Sequence, residues 1–147
     1  MRNQKKISGF RFDWVLINEL AIGTAPKKIS DLDLIENENI NSILTLCSEQ
    51  EAKLADGIQT KFHHKRIFLP DHRTGVFPEK EQIKNVLRTL DKLMQKGAVF
   101  VHCVAAMERS PLICIAWLML KKDLDLNQAL DYMMQVHPGT SPLPEQL

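Results

Sequence analysis

The chain has 147 residues, 44% hydrophobic and 25% charged, with a formal net charge of +1. That length and balance suit a single domain over residues 1–147, large enough for a three-layer core, and near-neutrality gives no reason to expect a nucleic acid or an anionic membrane as the main partner. Met1 to Lys6 is basic but leads into no long apolar run, so neither a signal peptide nor a transmembrane span is expected; the expected setting is a cytoplasmic monomer. Cys47, Cys103 and Cys114 are too few and too unevenly spaced for a disulfide framework, and no second CxxC or His pair completes a zinc site. Reduced thiols and no metal or other cofactor are therefore expected.

Phe10 to Ile22 alternates imperfectly and predicts an antiparallel hairpin or edge strands, turning at Asn18 and Glu19 and ended by Gly23 and Pro26. Ser30 predicts the cap of a short helix over Asp31 to Glu38, with Asp33 in the capping-box position. Ile40 to Cys47 predicts an inner strand, Glu49 to Ala55 a short helix or turn, and Phe62 to Leu69 a third strand stopped by Pro70. Ile83, Val86, Leu87, Leu90 and Leu93 recur at helical spacing between Pro78 and Gly97, which predicts a helix over Glu79 to Gln95 covering the sheet. Ala98 to Val101 follows as a buried strand, and Pro111 to Leu120 as a buried helix with Ser110 as its cap and Pro111 in its first position. Leu126 to Val136 is the last predicted helix. Strands alternating with helices predict an α/β fold, a mostly parallel central sheet with helices on both faces, and place ligands beyond the carboxyl ends of the strands. Cys103 lies at one such end; Cys47 and Asp71 end the two strands expected beside it.

Between the buried strand and the buried helix run Cys103, Val104, Ala105, Ala106, Met107 and Glu108, followed by Arg109. A loop this short, wound onto a helix N-terminus, can turn its backbone N–H groups inward as a cradle for an anion. Arg109 would close the cradle, since a planar guanidinium grips two oxygens of a phosphate at once. The helix dipole, the inward amides and the guanidinium all favour the thiolate of Cys103 over the thiol. A core cysteine beside a surface arginine is the plainer alternative. A phosphate ester also needs a proton for its leaving oxygen, and Asp71, in the LPDHRTG loop, is the candidate donor, with His72 its competitor. His63 and His64 are adjacent in a strand and face opposite ways, which argues against a shared ligand role; both read as ordinary surface or half-buried residues, and Cys114 as packing.

His102, Cys103, Arg109 and Ser110 match the HCxxxxxRS signature, and the chain resembles the cysteine-dependent protein phosphatases, most of all their small dual-specificity branch. The similarity runs from Leu20 to Pro26 (LAIGTAP), through SILTLC and LPDH, to the HPGTSPLPEQL tail. The resemblance implies the phosphotyrosine phosphatase-like fold and metal-independent hydrolysis of phosphomonoesters through a phosphocysteine. It makes Cys103 the nucleophile, Arg109 and the loop from Val104 to Glu108 the phosphate grip, and Asp71 the acid. His102 orients the loop and helps keep the thiolate ionised, and Ser110 hydrogen-bonds the sulfur. The chain is too short for the extra phosphotyrosine-recognition segment of the large tyrosine-specific enzymes, so the implied substrate is a phosphotyrosine, phosphoserine or phosphothreonine protein or a small phosphorylated metabolite. Some relatives protect the nucleophile by a disulfide to a cysteine placed like Cys47, which makes Cys47 a candidate redox partner as well as a small core residue.

Two positions depart from the expected pattern. Where these phosphatases usually carry Gly, three places after the nucleophile, this chain has Ala106. If φ there is positive, alanine costs on the order of 1 kcal/mol, which leaves open a weakly active or inactive phosphate-binding module. Glu108 puts an acid on the rim where relatives acting on inositol phospholipids tend to carry lysines, so poor turnover of polyphosphoinositides is expected.

Overall fold

Residues 5–7, 9–70, 78–106 and 108–140 are described by a computed structural model. Their strands are β1 (Lys5–Ile7), β2 (Phe10–Leu16), β3 (Leu20–Gly23), β4 (Ser42–Thr45), β5 (His63–Arg66) and β6 (Val99–His102). Their helices are α1 (Ile29–Asn37), α2 (Ile58–Lys61), α3 (Lys80–Met94), α4 (Arg109–Lys121) and α5 (Leu126–Val136). The strands form one sheet in the order β1-β2-β3-β6-β4-β5. β1, β2 and β3 pair antiparallel, whereas β3, β6, β4 and β5 run parallel.

β6 lies inside, paired on both edges, because its side chains are apolar on both faces. Val99 and Val101 enter the core shared with α3, α4 and α5, while Phe100 enters the opposite core with Leu32 and Ile35 of α1 and Ile58 of α2. Helices thus cover both faces, as the alternating pattern predicts. α4 is buried almost all round, from Arg109 to Ile115 and again at Trp117 and Leu118, and touches both α3 and α5. An amphipathic sequence would not tolerate that position.

The hairpin turns at residues 17–19 as expected, with Asn18 at φ 66°. Two local expectations are corrected. α1 begins at Ile29, ahead of the expected cap, because the buried Asp31 carboxylate accepts from Lys27 N and Lys28 N, each at 3.1 Å. Asp33, expected to do this, pairs with Lys61 instead. α4 begins at Arg109 with Glu108 as N-cap, so Ser110 is not the cap and Pro111 sits third. Proline is tolerated there because first-turn N–H groups have no partner within the helix. Glu49 to Ala55 contains a turn, one of the two forms expected there, and the short α2 follows it unforeseen.

Candidate active site

β6 delivers His102 and Cys103 at its carboxyl end, and α4 opens six residues later at Arg109. Cys103 is 3% exposed. Three carbonyls of this stretch, those of Cys103, Val104 and Ala106, are tied to groups outside the loop or to the His102 ring. His102 Nδ1–H donates to Cys103 O (2.8 Å), Ala25 N–H to Val104 O (3.1 Å), and His137 Nε2–H to Ala106 O (2.6 Å). Across a planar trans peptide the N–H lies opposite the carbonyl. The N–H groups of Val104, Ala105 and Ala106 make no hydrogen bond among the described residues, so they are available to an anion at the mouth of α4. Ala106 takes φ 60°, the positive value on which its cost depends. Met107 lies outside the described residues.

Arg109 is fixed rather than free. Its Nη1 donates to both carboxylate oxygens of Glu51 (3.1 and 3.0 Å) and to Leu69 O (3.1 Å), with its side chain 4% exposed. Glu51 is itself seated by a reciprocal pair: Ser48 N–H donates to its carboxylate and its own N–H donates to Ser48 Oγ. Ser110 Oγ is buried and has no hydrogen-bond partner among the described residues. Asp71 and its competitor His72 lie outside the described residues. The strand that leads to Cys47, β4, flanks β6 as expected, whereas the strand ahead of Asp71, β5, is separated from β6 by β4, so the other neighbour of the Cys103 strand is β3.

His64 is more than a surface residue. Its Nε2 lies 2.8 Å from Thr45 Oγ1, which lies 2.7 Å from His102 Nε2. Because Cys103 O can only accept, His102 Nδ1 carries the proton. In the neutral ring Nε2 therefore accepts from Thr45, whose oxygen accepts from His64. Three hydrogen bonds thus point the same way, toward the nucleophile. Complete burial pushes His102 down to about 3, against the Cys103 carbonyl bond, which raises it. Burial, with Arg66 beside it, also lowers His64.

A stability effect follows from His102. The unfolded imidazole binds its proton near 6.5 and the folded one only near 3. Stability is therefore full above about 6.5 and is lost as pH falls toward 3, at up to about 1.4 kcal/mol per pH unit. The melting temperature should fall between about pH 6.5 and 5, above most carboxylate titration, and His102→Asn should flatten that slope. An unchanged slope in the variant would remove His102 as its source.

Cys47, just past β4, is buried against Ala25, Ala52, Leu54 and Val104, and Arg66 Nη1 donates to its carbonyl (2.6 Å). Burial raises its thiol, Arg109 opposes that, and Cys103 raises it further. Burial likewise holds Cys114 up, with Cys103 adding to it. Sequence reasoning missed Glu51, Thr45, His64, Asp13 and His137. Thr45 and Asp13 were visible as polar residues in largely apolar strands; nothing in the sequence linked Glu51 or His137 to the loop.

A family profile described as the dual specificity phosphatase catalytic domain matches residues 21–147. Human dual specificity protein phosphatase 5 is 30% identical over 114 residues, 77% of this chain and 28% of the relative. Human dual specificity protein phosphatase 7 is 30% identical over 127 residues, 84% of this chain and 28% of the relative. The chain thus spans under a third of the length of these relatives. Among solved structures, Tk-PTP in its active form superposes with a TM-score of 0.80 at 22% identity, covering 92% of this chain and 90% of that one. PTPMT1 in complex with PI(5)P gives 0.78 at 21%, covering 92% and 89%. At such identities these two speak to the α/β phosphatase fold alone, whereas the profile takes in the HCxxxxxRS segment and most of the sequence around it. The chain belongs to the dual specificity phosphatase catalytic domain family.

Proposed function

We propose that the chain hydrolyses phosphomonoesters through a phosphocysteine, acting on phosphotyrosine, phosphoserine or phosphothreonine proteins or on a small phosphorylated metabolite. The observation that carries this reading is the loop itself: three carbonyls tied by hydrogen bonds, three N–H groups that make none among the described residues, and a cysteine at its start. Cys103 Sγ attacks phosphorus while the loop amides and Arg109 hold the equatorial oxygens. Asp71 protonates the leaving oxygen, then takes a proton from the water that cleaves the phosphorus–sulfur bond. Ser110 Oγ–H, otherwise unpartnered, bonds the departing thiolate. The Glu51 clamp supports this use of Arg109, since it removes most of the entropy of ordering a long side chain.

Asp71→Asn separates this scheme from its rivals. A phosphoserine peptide needs a proton on its leaving alkoxide, and its turnover should fall on the order of a hundred- to ten-thousand-fold. p-Nitrophenyl phosphate, whose phenolate leaves unaided, should lose far less. Equal losses on both would remove Asp71 as the acid, and unchanged phosphoserine turnover would do the same.

A binding module without turnover is not favoured. Ala106 does adopt the costly φ, yet the N–H groups of Val104, Ala105 and Ala106 still make no hydrogen bond among the described residues. Glu108, at the N-cap of α4, argues against polyphosphoinositides as substrates, since a negative rim repels their head groups. No helix among the described residues is long and apolar enough to cross a membrane, and the three cysteines are free. A cytoplasmic setting and a monomer are part of this proposal.

Cys47 serves in this reading as a guard. Peroxide oxidises the Cys103 thiolate to a sulfenic acid; Cys47 then attacks that sulfur, water leaves, and a disulfide forms that an added thiol reduces. Peroxide-treated protein should lose two hydrogens and regain activity with thiol, and Cys47→Ala should be inactivated irreversibly. Equal recovery with and without Cys47 would contradict this.

A further inference from the structure

The chain after α5 reads His137-Pro138-Gly139-Thr140, and each residue helps seat the histidine. Pro138 cannot continue the helix, Gly139 takes φ 97°, and Thr140 donates from N (3.2 Å) and Oγ1 (2.8 Å) to His137 O. His137 is thereby fixed as the C-cap of α5, fully buried, with its ring between β2 and the Cys103 loop. Nε2–H donates to Ala106 O at 2.6 Å, and Nδ1 lies 2.7 Å from Asp13 Oδ2. Arg11 Nε–H reaches the same Asp13 oxygen at 2.8 Å. Both ring nitrogens are therefore engaged, and the side chain has one orientation available.

The carbonyl it holds belongs to the one described loop residue with positive φ. A non-glycine residue keeps such a conformation only where its surroundings impose it. Released, Ala106 would relax toward negative φ and swing its carbonyl, a negative group, toward the anion site.

We propose that His137, oriented by Asp13, is a positioning residue that pins Ala106 in the left-handed conformation and so keeps the phosphate cradle open without glycine. The proposal rests on the reading of the loop as a phosphate site, but not on turnover. Its consequence is a coupling: His137 should matter while residue 106 is alanine and matter little once it is glycine, which adopts that conformation unaided.

The experiment is calorimetric titration with inorganic phosphate of the full chain, His137→Leu and His137→Gln, each with and without Ala106→Gly. His137→Leu should weaken phosphate binding about fivefold to tenfold, the equivalent of a left-handed alanine's cost, and less than twofold in the Ala106→Gly chain. His137→Gln, which can still donate to the carbonyl, should recover most of the affinity. Equal losses in both backgrounds, or none in either, would overturn the proposal. Should His137→Leu lose its cooperative melt, Asp13→Asn, which frees the ring to turn, carries the same comparison. Phosphate binding with the expected coupling but no turnover would sink the hydrolase reading and leave this one standing; failure of wild-type chain to bind phosphate would sink both.

Discussion

Cys103→Ser should abolish phosphate release, lowering kcat on the order of ten-thousand-fold or more while the protein still folds and still binds inorganic phosphate. Cysteine and serine differ by one atom, and Cys103 is 3% exposed, so little repacking is expected. What changes is nucleophilicity. Sulfur is intrinsically the stronger nucleophile, whereas a serine hydroxyl attacks only when a general base beside it takes its proton. The described residues place no such base there: His102 Nδ1 is committed to the Cys103 carbonyl and Nε2 to Thr45. Initial rates beside phosphate titrations separate the two effects. Residual turnover within tenfold of wild type would mean that another group performs the attack.

Arg109→Lys is expected to be nearly as severe, lowering kcat on the order of a hundred- to thousand-fold with a smaller rise in KM. Lysine keeps the charge but offers a point donor in place of a planar fork, so it cannot hold two phosphoryl oxygens in fixed geometry. It also cannot reproduce the set of contacts that locks the side chain. Arg109 Nη1 bonds Glu51 and the Leu69 carbonyl together, and a shorter ammonium group loses at least one of them. The Glu51 carboxylate, with its side chain 21% exposed, would draw the lysine away from the loop. Restoration by exogenous guanidinium in an Arg109→Ala chain would support the same role; kinetics unchanged in Arg109→Lys would contradict it.

What the sequence made legible was set by pattern. The parallel inner strand β6, the apolar α4, the amphipathic α3 and α5, and the turn between β2 and β3 follow from period, proline and glycine, and the signature from His102 to Ser110 located the site. Contacts between residues distant in sequence were not legible. Glu51 meets Arg109 across 58 positions, and His137 meets Asp13 across 124. Neither pairing leaves a local mark, because a long-range polar contact is specified by the fold that brings its members together. Helix starts failed for a related reason. Asp31 and Asp33 are equally plausible caps by spacing, and burial of one and a Lys61 partner for the other decided between them. His64 read as an ordinary surface or half-buried residue, and half-buried is what it is, but the polar atom that engages it, Thr45 Oγ1, belongs to the neighbouring strand and left no local mark.

The claim on which the rest depends is a covalent bond between Cys103 and phosphorus. The direct measurement is a denaturing quench during turnover, followed by mass spectrometry of the peptide containing Cys103, for wild type and for Ser110→Ala, whose slower thiolate departure should let the intermediate accumulate. The account predicts one phosphoryl group on Cys103, more abundant in Ser110→Ala and lacking in Cys103→Ser. Steady turnover with no phosphoryl group on that peptide, or with one carried elsewhere in the chain, would contradict it.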